Sequence, residues 1–403
     1  MKVLYERCCG LDVHKKSLTA CALTPAGPQV RVFGTTHGEV LALADWLQEL
    51  GVRTVAMEST GVYWKPVFNV LEAEFEVLVA NARHIKAVPG RKTDVKDAAW
   101  LADLLKHGLL RPSFIPARPH RELRELVRYR RRLIQEKTQL ASRMQQVLEG
   151  GNIKLASVAS DILGVSGRAM LRARIAGEAD PARLAALARG VLRKKQAALH
   201  EALQGTLGAH QRFMLETQLR LLETVEAEVA HLDAEVARRL GPFAETIHRL
   251  DTIPGIARRT AEDLLAEIGA DMAPFPSAAH LASWAKLSPG NYQSAGKRRS
   301  GSTGQGSPWL RATLTEAAQA AARTKATALA ARYQRLARRR GRKRAITALA
   351  HTILKIMYHM LREGTVYRDL GETYYEQRDQ RHIVRRSVKR LERLGYRVTL
   401  QAA

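Results

Sequence analysis

The chain has 403 residues, with 65 Lys plus Arg against 39 Asp plus Glu and a formal charge of +26. A single hydrophobic core stops growing at roughly 250–300 residues, so more than one domain is expected. Such an excess of positive charge repels itself unless something acidic neutralises it, which points to nucleic acid. The rival partner, an acidic membrane surface, finds no run of about 20 apolar residues to support it. The start MKVLYERCCGLDVHKK lacks a signal peptide's apolar core, so a cytoplasmic protein is expected. Cys8, Cys9 and Cys21 cluster without zinc-ligand spacing and read as small buried strand residues.

In chain order, ERCCGLDV, LTACAL and QVRVFGTT read as three short strands, with turn chemistry at Pro25, Ala26, Gly27 and Pro28. A helix is predicted from His37 to Leu50, with Val40, Leu41, Leu43, Trp46 and Leu47 on one side and Gly51 as its terminator. The strand RTVAME, a helix from about Tyr63 to Glu72, the strand FEVLVA, a basic linker and a helix from near Thr93 follow. A meander followed by helix, strand, helix, strand and helix resembles the ribonuclease H fold.

From Pro119, Leu126, Leu133, Leu140 and Val147 recur every seven residues, with Leu123 and Met144 at the other seam position. A second array holds Leu215, Leu222, Val229 and Val236, interleaved with Val225 and Leu232. Two heptad helices around a less regular middle predict a coiled-coil stalk that doubles back; the plainer alternative is an amphipathic hairpin packed on its own domain. Arg130 and Lys137, at seam positions, weaken a dry dimer zipper. The expected organisation is α/β followed by α: a nuclease-like domain at 1–118, a coiled-coil helical domain at 119–242, a mostly helical domain at 243–375 and a basic tail at 376–403. The tail is expected to form a helix and a short strand, or to order only on nucleic acid.

Four acids carry the chemical signal: Asp12 in GLDVHK, Glu58 in AMESTG, and Asp94 with Asp97 in KTDVKDA. Asp12 and Glu58 each follow an apolar strand, and Asp94 and Asp97 stand three apart at a helix start. Each alone has an ordinary reading, a turn residue or a first-turn helix charge. Together they follow the ligand order of nuclease folds. Hard oxygen donors without a His or Cys cluster point to Mg²⁺, with Mn²⁺ possible, over zinc. Asp103, six residues beyond Asp97, faces elsewhere and ranks below the four.

The segment KLSPGNYQSAGKRRSGSTGQGSPWLR joins glycines and serines to the triplet Lys297, Arg298 and Arg299. Such a loop either contacts a phosphate backbone or presents a serine nucleophile. Composition does not choose among Ser288, Ser294, Ser300, Ser302 and Ser307. Ile253-Pro254-Gly255-Ile256 is similar to a helix-hairpin-helix turn, whose backbone N–H groups meet phosphate; a plain helical hairpin is the alternative. The basic run from Arg332 to Arg344 contains Arg338, Arg339, Arg340, Arg342, Lys343 and Arg344, and signals backbone charge contact. Lys92, Gly255 and Arg311 complete the nucleic-acid-binding expectation.

These strings in this order, GLDVHK, MESTGVYW, KTDVKDA, the heptad stretch, TIPGI, NYQS and LRATL, resemble the DEDD transposases of the insertion-sequence one-ten family, recombinases guided by a bridge RNA. The resemblance implies a RuvC-like nuclease domain and a transposase domain with a catalytic serine. Asp12, Glu58, Asp94 and Asp97 match the family's metal ligands, and Ser294, after Asn291-Tyr292-Gln293, matches its nucleophile. It further implies a 5′-phosphoserine intermediate, and a site shared between subunits of a tetramer around RNA, donor DNA and target DNA. The setting would be a prokaryotic cytoplasm, at the nucleoid when active. The middle and the tail look longer than compact family members require. Two rivals remain at this stage: a Holliday junction resolvase using water as nucleophile, and a non-enzymatic nucleic-acid packaging protein.

Overall fold

The structure is a computed structural model that describes residues 3–59, 61–80, 94–290, 292–294, 297–304 and 306–400. At 94–96, 292–294, 297–300, 376, 381–383 and 386 the backbone alone is described. The chain divides into two compact units, Met1–Pro116 and Ala117–Ala403.

The first unit is built on a mixed sheet of β1 (Cys8–Val13), β2 (Ser17–Thr24), β3 (Gly27–Gly34), β4 (Thr54–Glu58) and β5 (Glu76–Ala80), in the order β3-β2-β1-β4-β5. β1, β2 and β3 form the antiparallel meander, and β4 and β5 continue from β1 in parallel. This is the meander-plus-parallel order expected from the sequence, consistent with a RuvC-like α/β domain. Alternate residues divide the sheet's two faces. Leu11, Leu18, Val55 and Met57 pack beneath α1 (His37–Glu49) and α2 (Trp64–Leu71), with Val40, Leu43, Leu47, Val67 and Leu71 in the same core. Leu41 was expected on that stripe but is 45% exposed. It stands one residue, about 100° of helix rotation, from Val40. Gly51 does end α1: at φ +65 it donates its N–H to the Gln48 carbonyl at 2.8 Å.

The opposite face is covered by α3 (Asp94–Lys106). Leu105 packs with Cys8 and Ala56, and Ala98 and Ala102 pack with Cys21. All three cysteines are buried and unbridged, as read from the sequence. Burial pushes the Cys8 thiol up to about 11 and holds Cys9 well above the ordinary thiol range, so neither favours a thiolate near neutral pH.

The second unit is helical. The two heptad arrays form α4 (Arg118–Gly150) and α5 (Ala209–Arg239), which pair antiparallel within one chain. Leu133, Leu140 and Met144 of α4 share one core with Leu215, Leu222, Val225 and Leu232 of α5. Short helices between them add Met170, Leu184 and Leu199 to the same core. The seam cations are partnered inside the chain. Arg130, 1% exposed, meets Asp233, Glu262 and Asp263 at 3.0, 2.9 and 2.6 Å, and Lys137 meets Glu226 at 2.7 Å. The seam thus serves the pairing of the two long helices within one chain.

Beyond the hairpin lie α6 (Ala244–Asp251), α7 (Arg258–Ile268), α8 (Ala278–Trp284), a two-stranded ribbon of β6 (Tyr292–Ser294) and β7 (Lys297–Ser300), α9 (Pro308–Arg323), α10 (Ala328–Arg340) and α11 (Arg342–Glu363). Arginines of α4 bind this body. Arg124 donates to the Ala266 and Glu267 carbonyls, Arg128 grips the Glu267 carboxylate through two nitrogens at 2.7 and 2.9 Å, and Arg131 donates to Thr313. The tail forms α12 (Tyr374–Arg378) and α13 (Gln380–Arg393), with no strand among the described residues beyond them. Asp379 meets Arg335 of α10 at 2.5 Å. Among the described residues no helix is long and apolar enough to cross a membrane.

Candidate functional site

Two places hold the predicted chemistry, one in each unit. In the first, Asp12 and Glu58 each stand one residue beyond the last paired residues of β1 and β4, Leu11 and Met57. The strands are parallel neighbours, so both acids occupy one edge of the sheet, on strands spaced about 4.8 Å apart. Alternation also puts them on one face. Asp12 shares parity with Cys8 and Gly10, Glu58 with Ala56, and Cys8 and Ala56 face α3.

α3 runs antiparallel to β1, because its C-terminal part lies over the start of the strand: the Cys8 thiol donates to the Ala102 carbonyl at 3.6 Å. Ala98, one turn earlier, lies over Gly10, where a Cβ would fall 2.5 Å from the Ala102 nitrogen and still closer to the Ala98 oxygen. From Ala98 back to Asp94 the helix rises about 6 Å, and from Gly10 to Asp12 the strand advances about 6.6 Å. The start of α3 therefore reaches the level of Asp12. Asp97, half-buried, immediately precedes Ala98. Asp103 is exposed, with its carboxylate 3.6 Å from the His107 ring one turn on.

The sequence reading missed His14, whose Nε2 lies 3.1 Å from Asp12 Oδ2. The signal was present: two residues after Asp12, it falls on the same side of the chain. Among the described residues no three His, Cys, Asp or Glu side chains gather as a metal cage. The Asp94 side chain lies outside that set, as does Lys92 altogether. The donor chemistry of Asp12, Glu58 and Asp97 suits a hard divalent cation, and a closed ligand set requires a further oxygen beside them.

In the second unit, Ser294 pairs with Lys297 across the β6–β7 ribbon, and only residues 295–296 connect them. Ser294 thus occupies the ribbon's tip. An irregularity between Tyr292 and Gln293 leaves Arg299 without an opposite residue. The ribbon's base is braced by the Pro289–Thr303 bridge and by the Gly290 N–H donating to the Ser302 carbonyl at 2.9 Å. Arg311 turns to this base and donates to the carbonyls of Lys286 and Gly304 and to the Thr303 hydroxyl, so it holds the loop. Ser307 is likewise engaged: it caps α9 by accepting from the Leu310 N–H and donates to Glu267 at 3.0 Å.

An open groove of ≈ 820 Å³ runs beside that base, with Pro289 and Ser302 on one wall and Arg340, Lys343 and Arg344 on the other. Arg338, Arg339 and Arg340 end α10, where cations suit the helix dipole. After Gly341, Arg342, Lys343 and Arg344 open α11, where the dipole disfavours them and an anion would relieve both the charges and the unpaired N–H groups. All six are exposed. Gly255, at φ +88, packs against α9: a Cβ there would lie 2.5 Å from the Ala321 nitrogen.

A mixed sheet with two acids at one strand edge stands in the first unit, and a ribbon with Ser294 at its tip beside a basic groove in the second. The family model for DEDD transposases of the IS110 group matches residues 9–153, and the model for the transposase IS116/IS110/IS902 family matches residues 247–334. Together they span more than half of the chain, which belongs to the IS110 transposase family. Among curated proteins none matches the chain. The protein is accordingly a DNA transposase, with DNA as its substrate and a family dependence on divalent metal.

Proposed function

We propose that this transposase cuts and rejoins DNA strands with a divalent cation, Mg²⁺ or Mn²⁺, at Asp12, Glu58, Asp94 and Asp97, and with Ser294 as nucleophile. The observation that carries the reading is the shared edge of Asp12 and Glu58 beneath the start of α3. Bound there, the cation would supply positive charge to a phosphodiester and its departing oxygen. The Ser294 hydroxyl attacks phosphorus, the serine Oγ–P bond forms as the P–O3′ bond breaks, and the proton ends on the 3′ hydroxyl. Serine remains linked to a 5′ phosphate. Attack by the 3′ hydroxyl of the second DNA returns the serine, so bond energy is conserved and no high-energy cofactor is consumed.

Placement at the last paired position of β6 suits this role, because only residues 295–296 separate Ser294 from its partner Lys297. Arg340, Lys343 and Arg344 would carry the adjoining phosphates. Lys297, Arg298 and Arg299 lie on the same ribbon. In this reading a bridge RNA selects donor and target, the two catalytic places come from different subunits of a tetramer, and the protein works at the nucleoid.

Asp97→Asn tests the metal edge. It removes a charged ligand with little change in size, so DNA cleavage in Mg²⁺ should fall at least about a hundredfold while nucleic-acid binding holds. Unchanged cleavage would remove Asp97 from the site, and cleavage by wild type in excess chelator would remove the metal.

A further inference from the structure

The strand edge that carries Asp12 and Glu58 has two flanks. On one, residues 59–63 join Glu58 to α2, and Val62 and Tyr63 are 62% and 43% exposed. Their neighbour behaves differently: Trp64 is half-buried and meets the Phe68 ring edge-on at 5.6 Å. Gly61, at φ +59, makes the bend, and a Cβ there would touch the Tyr63 ring at 3.8 Å, so the ring lies over the bend instead of entering the core. Lys65 follows, exposed.

On the other flank, the turn between β1 and β2 carries Lys15 and Lys16, both exposed. That turn is fixed by the His14 N–H donating to the Ser17 carbonyl and by the Thr35 hydroxyl donating to the Lys15 carbonyl, each at 2.9 Å. The ends of β1 and β4 are parallel neighbours, so both flanks border the same carboxylate edge. Tyr63 is at most five extended residues, about 17 Å, from Glu58.

We propose that Tyr63 stacks on an unpaired base of the DNA strand being cut, next to the phosphate under attack, while Lys15 and Lys16 hold that strand's phosphates beyond it. The inference rests on the Asp12–Glu58 edge being the cleavage site. An exposed ring beside the carboxylate edge suits a flat apolar partner, and lysines on both sides select one whose backbone is anionic. A single strand meets both conditions, whereas a duplex hides its base faces. The acids at the centre repel phosphate unless a cation is present, so the ring and the lysines also position the strand where charge alone would push it away.

The test uses the full chain carrying Asp97→Asn, which should bind without cutting, and single-stranded donor-end DNA with 2-aminopurine placed at successive positions across the cut. Quenching should peak at one position beside the scissile phosphate, be lost in Tyr63→Ala and return in Tyr63→Phe. In the cleaving background, Tyr63→Ala should lower cleavage by on the order of 5- to 100-fold, the range base stacking supplies. An abasic site at the quenched position should cost the same, and the two changes together no more than either alone. Lys16→Gln should weaken binding without moving the quenching peak. Unchanged quenching in a folded Tyr63→Ala protein overturns the proposal, as does a Tyr63→Phe protein that behaves like Tyr63→Ala. A change in oligomeric state with quenching intact would assign the ring to a second copy of the chain instead. Failure of the cleavage-site reading is seen separately, as cutting by the Asp97→Asn protein.

Discussion

Gly10 of β1 lies directly beneath the Ala98 carbonyl of α3, with no room for a single methyl between them. That contact sets the height of α3 over the sheet and so the level of its first turn relative to the ends of β1 and β4.

Gly10→Ala should therefore act on chemistry through geometry. The methyl forces α3 away from the strand, costing about 1–3 kcal/mol of stability. Cleavage should fall more than tenfold at temperatures where the fold persists, with DNA affinity retained because basic surfaces elsewhere supply it. Denaturant unfolding, nicking and filter binding on one preparation separate the three effects.

Arg130 is the most buried of the arginines that tie the helical hairpin to the body, and its guanidinium answers Asp233, Glu262 and Asp263. Arg130→Met fills similar space and leaves acids unmatched, which should cost about 3–5 kcal/mol, read as a fall in the urea midpoint. Arg258 and Arg259 still contact Glu262 and Asp233, and Asp263 keeps Arg131 only at the longer 3.8 Å, so Asp263 is the acid most affected. Burial raises the Asp263 carboxyl above its ordinary 3.8, against the pull of Arg130. A raised carboxyl favours the fold below its unfolded value, and that contribution is lost as pH rises through the folded one. Without Arg130 the folded value rises further, so the variant's deficit should shrink on acidification towards about pH 4.

The groove beside the ribbon predicts a salt effect. Arg340→Glu with Lys343→Glu should weaken nucleic-acid binding by about tenfold or more at moderate salt and flatten the slope of log K against log salt, since fewer counterions are released. Both side chains are exposed at helix ends, so stability should change little. An unchanged slope would mean that the groove stays solvated in the complex.

Much of the first unit was legible because apolar runs, Gly51 and the Pro25–Pro28 turn are local signals; strand ends moved by one or two residues only. Which acids share an edge was legible through strand order, since Asp12 and Glu58 are brought together by the parallel pairing of β1 with β4. The sequence could not show that Gly10 seats α3, or that Arg311 and Ser307 are engaged at the ribbon's base, because these are contacts between segments distant in the chain. The heptads foretold two long helices, but only the partners of Arg130 and Lys137 revealed that those helices pair with each other. The packing of α9 against Gly255 is likewise a tertiary fact that a short motif does not carry.

The central claim is a serine that becomes covalently bound to DNA, and trapping that bond tests it most directly. Wild-type protein, reacted with 5′- and 3′-end-labelled donor DNA and denaturated midway, should retain protein on the 5′ side of the break, with the linked peptide containing Ser294. Ser294→Ala should lose adduct and strand exchange together while keeping its fold, and Ser300→Ala and Ser302→Ala should reduce them less. Strand exchange by the Ser294→Ala protein, or wild-type cleavage that leaves no adduct, would contradict the account and identify water as the nucleophile.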